Sequence, residues 1–299
     1  MELISGAMLA GLAPFGAGVR LTHPVVVRSP MLIAHRGGAG LAPENTMVAF
    51  RQAVDVWAAD MIELDVRATA DGHCVVIHDD TVDRTTDGTG AVASMTLEQI
   101  RALDAGYRFS PDRKTFPFRG RGATVPTIGE VLEALPSTPL TVEVKTAAAQ
   151  APLFAAIREF GATQRVVAAG MYDVDRTEFG GYGGAISASM EQLRGFYGFF
   201  ALRLDRFWRI DADVIQVPEF NGAQRIVTQK FVKSVHAHGL KVHVWTVNVE
   251  SDMQRLLDWS VDGLVTDRPD TLARVLHRYV DRPIPPGAAD ADGSVRARK

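Results

Sequence analysis

Between Met31 and Tyr279, short apolar runs alternate with amphipathic stretches, and this alternation narrows the accessible folds more than any other feature of the chain. Nine runs read as strands: Met31–Ala34, Asp60–Val66, Cys74–His78, Leu140–Val144, Arg165–Ala169, Ala185–Ser187, Val214–Val217, Lys241–Val247 and Gly263–Thr266. Helical patterns fall between them. Asn45 or Thr46 caps a helix with an apolar face of Met47, Val48, Phe50, Val54 and Trp57; others cover Thr96–Leu103, Thr127–Leu135, Ala147–Phe160, Gln192–Ile210, Gln224–His238, Ser251–Trp259 and Pro269–Tyr279. Strands that alternate with helices predict a parallel sheet, because each parallel connection needs a crossover. Eight such strands close a barrel. The ninth fits a hairpin at Thr69-Ala70-Asp71-Gly72, where Asp-Gly marks a tight turn; a tight turn there sets Asp65 opposite His78.

The expected fold is therefore α/β, a TIM-type (β/α)8 barrel with a small insertion after the third strand. A chain of 299 residues fits either two domains or one α/β barrel. Residues 31–280 form the barrel, and residues 79–124, which lack a sustained strand pattern, form the insertion over the site mouth. Residues 1–30 are an N-terminal extension. Residues 281–299, with no apolar period, are expected to be disordered.

In such a barrel the active site lies at the C-terminal ends of the strands. His35, Glu63, Asp65, His78, Glu143, Lys145 and Trp245 all fall at or near such ends, on different strands. Glu63 and Asp65 are two apart and share a face. With Glu143 they make three carboxylates without a cysteine, a donor set for a hard cation such as Mg²⁺ or Ca²⁺. His35 and His78 suit general acid and base, since imidazole titrates near neutral pH. Arg36 and Lys145 offer positive charge to an anion. The set is the make-up of metal-assisted phosphoryl transfer.

Composition removes other classes. Net charge is −3, with no basic excess to mark nucleic-acid binding. The single cysteine, Cys74, supports neither a disulfide framework nor a cysteine-based zinc site. Residues 1–19 carry one charge, Glu2, and lack the basic start of a secretory signal. They read as an extension or as a membrane-associating segment, with a cleaved signal as the third reading. The protein is thus expected in the cytoplasm or at a membrane surface, with secretion the remaining alternative.

His35-Arg36-Gly37, Pro43-Glu44-Asn45-Thr46, Ile62-Glu63-Leu64-Asp65-Val66, Asp71-Gly72, Val76-Ile77-His78-Asp79-Asp80 and Arg84-Thr85-Thr86-Asp87-Gly88-Thr89-Gly90 follow one another along the chain. Val125-Pro126-Thr127, Val142-Glu143-Val144-Lys145, Trp245-Thr246-Val247-Asn248 and Asp262-Gly263-Leu264-Val265-Thr266-Asp267-Arg268-Pro269 continue the series. This ordered set resembles the glycerophosphodiester phosphodiesterase family, from Met31 to about Asp270. The resemblance implies a barrel enzyme that hydrolyses glycerophosphodiesters to glycerol 3-phosphate and an alcohol. It implies a divalent metal, Mg²⁺ or Ca²⁺, on Glu63, Asp65 and Glu143, with His35 and His78 as acid and base. Arg36, Lys145 and Trp245 would bind the substrate and its phosphate.

Two stretches stand apart from that pattern: the N-terminal thirty residues and Gln192–Ile210. The latter interleaves Phe196, Tyr197, Phe199, Phe200, Phe207 and Trp208 with Arg194, Arg203, Arg206 and Arg209. It reads either as a helix packed on the barrel or as an interfacial surface toward lipid. Peripheral membrane contact is expected through 1–19 and 192–210. On that reading the substrate is a lysophospholipid or an intact phospholipid, cut in phospholipase C or D fashion.

Overall fold

The computed structural model describes residues 23–289. The readings of residues 1–19, and the tail beyond 289, lie outside the described residues. Eleven strands are present among them: β1 (Met31–His35), β2 (Met61–Ala68), β3 (Cys74–Val76), β4 (Leu140–Val144), β5 (Val166–Gly170), β6 (Ala185–Ile186), β7 (Val214–Pro218), β8 (Phe220–Asn221), β9 (Gln224–Arg225), β10 (Lys241–Trp245) and β11 (Gly263–Thr266). Eight of them run parallel in the order β6-β5-β4-β2-β1-β11-β10-β7. A single parallel bridge, Ser187 to Val214, joins the two ends. The result is a nearly closed barrel of eight parallel strands with helices outside it, as the alternation predicts.

The helices are α1 (Met47–Arg51), α2 (Leu97–Arg101), α3 (Ile128–Ala134), α4 (Gln150–Glu159), α5 (Met190–Ala201), α6 (Gln229–Ala237), α7 (Glu250–Asp258), α8 (Pro269–Val280) and the short α9 (Pro286–Ala289). Thr96, Thr127 and Ser189 close capping boxes at the starts of α2, α3 and α5, each satisfying two orphan backbone donors. Thr46, not Asn45, caps α1. The buried face of that turn is Ala49, Phe50 and Ala53, while Val48 faces out.

The expected helix Gln192–Ile210 ends early. Its chain reverses at Arg203 with φ of 59°. The amide of Arg203 donates to the Phe200 carbonyl at 2.9 Å and that of Leu204 to the Phe199 carbonyl at 2.8 Å. This is a Schellman closure with arginine where glycine usually stands. The expected helix Gln224–His238 starts late. Gln224 and Arg225 instead pair with Asn221 and Phe220 in a hairpin, with Gly222 at φ 59° opening the turn. Thr228 then caps α6.

The barrel interior is filled at its N-terminal end. Val25 and Val26, in a short 3-10 turn at Pro24–Val26, pack with Met31, Ile33, Met61, Val167, Ala185, Val214 and Val265. His243, fully buried, also projects inward, and burial pushes its pKa down to about 4, so it is neutral at physiological pH. Gly263 makes room for it: a Cβ there would lie 2.6 Å from the imidazole and 2.8 Å from Ile33. Residues 281–289, expected within a disordered tail, return to the barrel. Arg282 bonds Asp60 and the Pro30 carbonyl, and Gly287 lies against Val56 and Trp57. Among the described residues no helix is long and apolar enough to cross a membrane.

Candidate active site

β1 ends on His35, and the chain then turns through Arg36, Gly37 and Gly38 at φ 50°, 83° and 95°. A Cβ on Gly37 would meet Phe50 and Ala49 at 2.7 and 2.8 Å, so only glycine lets this turn lie on α1. The turn aims the Arg36 amide at Glu63, which accepts its hydrogen bond at 3.0 Å. Along β2, Glu63 and Asp65 share the inward face. The β2–β4 register sets Glu143 beside Asp65. Oxygens of the three carboxylates lie within 4.8 Å of one another.

That concentration of negative charge has a measurable consequence. Burial and the neighbouring Asp65 and Glu143 push the Glu63 carboxyl up to about 7, against the opposing pull of His35 and Arg36. Asp65 is equally buried, yet its pKa falls below the ordinary carboxylate value. Burial raises it, but Lys145, Arg36 and His78, with the hydrogen bond from Asn45, outweigh that effect. Lys145 Nζ sits 3.0 Å from Asp65 and 2.9 Å from Glu143, and Arg36 Nε is 3.2 Å from Asp65. Neither cation's side chain caps Glu63. The oxygen donor set and its unmet charge fit a hard divalent cation.

The two histidines are held alike. His35 Nδ1 is 2.6 Å from Asp267, whose other oxygen accepts from Asn248 at 2.7 Å. His78 Nδ1 is 2.6 Å from Asp79. A carboxylate on Nδ1 keeps the proton there and, in the neutral ring, leaves the lone pair on Nε2. His35 Nε2 is 3.9 Å from Glu63. Burial disfavours the charged His35 ring, but Asp267 and Glu63 more than compensate, and its pKa is raised.

His35, Arg36, Glu63, Asp65, His78, Glu143, Lys145 and Trp245 line one pocket at the C-terminal end of the barrel. The facing wall is apolar, with Met171, Ala188, Met190, Leu193 and Ile215. All eight residues picked from the sequence therefore come together, although His78 arrives by another route. The hairpin register pairs Ala68 with Cys74 and Val66 with Val76, and the amide of Ile77 donates to the Asp65 carbonyl. Ile77, not His78, stands opposite Asp65. The reason is turn length. The Thr69 amide donates to the His73 carbonyl, so the loop holds three residues, with Gly72 at φ 80°. The chain then leaves the strand at Ile77 and bends, with the His78 carbonyl accepting from Arg67 Nε at 2.8 Å.

Supporting residues escaped the sequence reading. Asp79 and Asp267 carry the same signal as the chosen acids, a carboxylate just past a strand. Glu44 and Arg84 do not. Arg84 makes bonds of 2.6 and 3.1 Å to Asp79, and of 2.7 and 2.8 Å to Glu44. Glu44 also accepts from Arg36 at 2.8 Å. Asn45, at φ 57°, donates to Asp65 at 3.0 Å.

Sequence and structure comparisons agree on one group of proteins. Residues 35–163 and 198–271 match the glycerophosphoryl diester phosphodiesterase family. A glycerophosphodiester phosphodiesterase of Caldanaerobacter subterraneus subsp. tengcongensis is 33% identical over 255 residues, covering 83% of this chain and 98% of the relative. The crystal structure of a glycerophosphodiester phosphodiesterase from Agrobacterium tumefaciens superposes with a TM-score of 0.66 at 28% identity, covering 82% of this chain and 99% of that one. A phosphodiesterase of Oleispira antarctica, solved in complex with the product sn-glycerol-3-phosphate, shares the fold with a TM-score of 0.67 at 23% identity, over 83% and 97% of the two chains.

Proposed function

The chain belongs to the glycerophosphoryl diester phosphodiesterase family, a family of hydrolases, and on that premise we propose that its pocket hydrolyses a glycerophosphodiester to glycerol 3-phosphate and an alcohol with the help of a divalent cation. The observation that carries this reading is the meeting of three carboxylates, two aspartate-anchored histidines and two cations in one pocket.

Glu63, Asp65 and Glu143 would hold Mg²⁺ or Ca²⁺, which when bound supplies charge neutralisation for the phosphoryl group. Arg36 and Lys145 lie beside the same carboxylates and take the remaining phosphate oxygens. Developing negative charge then meets fixed positive groups, which in such catalysis usually stabilise the transition state more than any other effect. One histidine Nε2 removes the proton from the nucleophile, either water or a neighbouring glycerol hydroxyl that first gives a cyclic phosphate for water to open, and the other returns a proton to the departing alcohol oxygen. Asp267 and Asp79 keep each ring oriented through its Nδ1. Trp245 closes the barrel side of the substrate site.

A second reading, hydrolysis of a lysophospholipid or membrane phospholipid, draws on the apolar wall of Met171, Met190 and Leu193. One experiment addresses both. Glycerol 3-phosphate release is measured from glycerophosphocholine with Mg²⁺ or Ca²⁺, and again with EDTA. Metal-dependent release is expected; no release from folded protein, with turnover of a lysophospholipid, would favour the second reading.

A further inference from the structure

The aromatic and basic run that the active site leaves unused divides in the structure. Phe196 is buried, and Tyr197, Phe200 and Trp208 pack on the core around Phe231 and Val235. Helix α5 thus commits most of its aromatic surface to the barrel. What remains outside is the turn after it. Leu202 is 71% exposed and Leu204 40%. Arg203, Arg206 and Arg209 are exposed beside them. None of the three arginines has a carboxylate partner among the described residues; Asp205, which lies between Arg203 and Arg206 in the chain, bonds Ser234 and faces His238.

This turn leads into Val214, the first residue of β7, so it lies at the N-terminal end of the barrel, opposite the pocket. The Pro24–Val26 plug is at the same end.

We propose that the N-terminal end of the barrel is a docking surface for an anionic phospholipid membrane. Leu202 and Leu204 would enter the headgroup boundary, and Arg203, Arg206 and Arg209 would contact lipid phosphates. Aliphatic tips beside arginines that lack a carboxylate partner among the described residues combine an apolar and an electrostatic signal, which suits such a boundary. The rival cationic surface, Arg113, Lys114 and Arg121 of the insertion, is less suited. Among the described residues its one exposed large apolar side chain is Phe116, covered by the Arg119 guanidinium at 3.9 Å, whereas at the favoured turn Arg206 covers Phe207 but leaves Leu202 and Leu204 open. Docked by its N-terminal end, the protein holds its pocket toward water.

The test is co-sedimentation of the full chain with vesicles of phosphatidylcholine alone and with phosphatidylglycerol added. Binding is expected only to the anionic vesicles. Joint replacement Arg203→Gln, Arg206→Gln and Arg209→Gln should weaken it by about 10²-fold, since each basic residue near an anionic surface contributes roughly fivefold. Leu202→Ser with Leu204→Ser should weaken it as well. Neither set should change turnover of a soluble diester, which also reports that the variants fold. The proposal is overturned if the native chain ignores anionic vesicles, if the glutamine variant binds them as before, or if only Arg113→Gln, Lys114→Gln and Arg121→Gln abolishes binding.

Discussion

Arg84 supports the partners of both His78 and Arg36 without lining the pocket. Its guanidinium fixes Asp79, which fixes His78, and fixes Glu44, which fixes Arg36. Hydrogen bonding from Arg84 is the main reason Asp79 stays far below the ordinary carboxylate range. Arg84→Gln should therefore cost about 10- to 100-fold in turnover, the scale seen when an orienting partner is lost, while thermal stability changes little. His35→Ala or His78→Ala should each cost about 10²-fold or more; near-normal rates in either would remove that ring from the acid–base pair. The meeting of His35, Glu63, Asp65 and His78 in one pocket was legible because strand ends and a two-residue period are visible in sequence. The partners of Glu44, Arg84 and Asp267 were not, because only folding supplies them. Asp267 meets His35 from 232 residues away.

At the level of elements, Asp262 is the clearest strut. Its carboxylate accepts from Lys241 at 2.8 Å and from the Val242 amide at 3.0 Å, and lies 2.6 Å from His236, binding α6 and β10 to the start of β11. Burial would raise its pKa, but these partners hold it down at about 2. A carboxylate depressed on folding adds stability above its unfolded pKa and loses it as pH falls through the folded one. Asp262→Asn should thus cost about 2 kcal/mol at neutral pH, and in urea titrations the gap from the native chain should close between about pH 4 and pH 2. Gly263→Ala, which pushes a methyl into His243 and Ile33, should cost about 1–3 kcal/mol by overpacking. Element bounds were readable where local signals were strong: β4 and β11 fall where the apolar runs predict. They were misread where a turn lacked its usual residue, as with Arg203 in a glycine's place, or where a short turn signal at Gly222 was overridden by a helical pattern. The hairpin at Asp71-Gly72 was expected with a two-residue loop. One extra loop residue shifted its register, and the bend after Ile77 restored the outcome.

For the molecule as a whole, the barrel and its pocket were legible because the alternation repeats around the ring. Binding at the carboxylate cluster should report on the entire fold. Mg²⁺ or Ca²⁺ at a hundred times its Kd should add about 2.7 kcal/mol of stability, seen as a raised Tm, and Glu63→Gln with Glu143→Gln should abolish the shift. The parallel pairing of β1 with β11 carries a further consequence. One histidine stands on the first strand of the ring, and the aspartate that orients it follows the last. A refolding chain can bury most of its core, and change its tryptophan fluorescence, before those two strands meet. Regain of turnover should then lag the optical signal, so that the enzyme's own rate becomes a clock for the moment the ring closes.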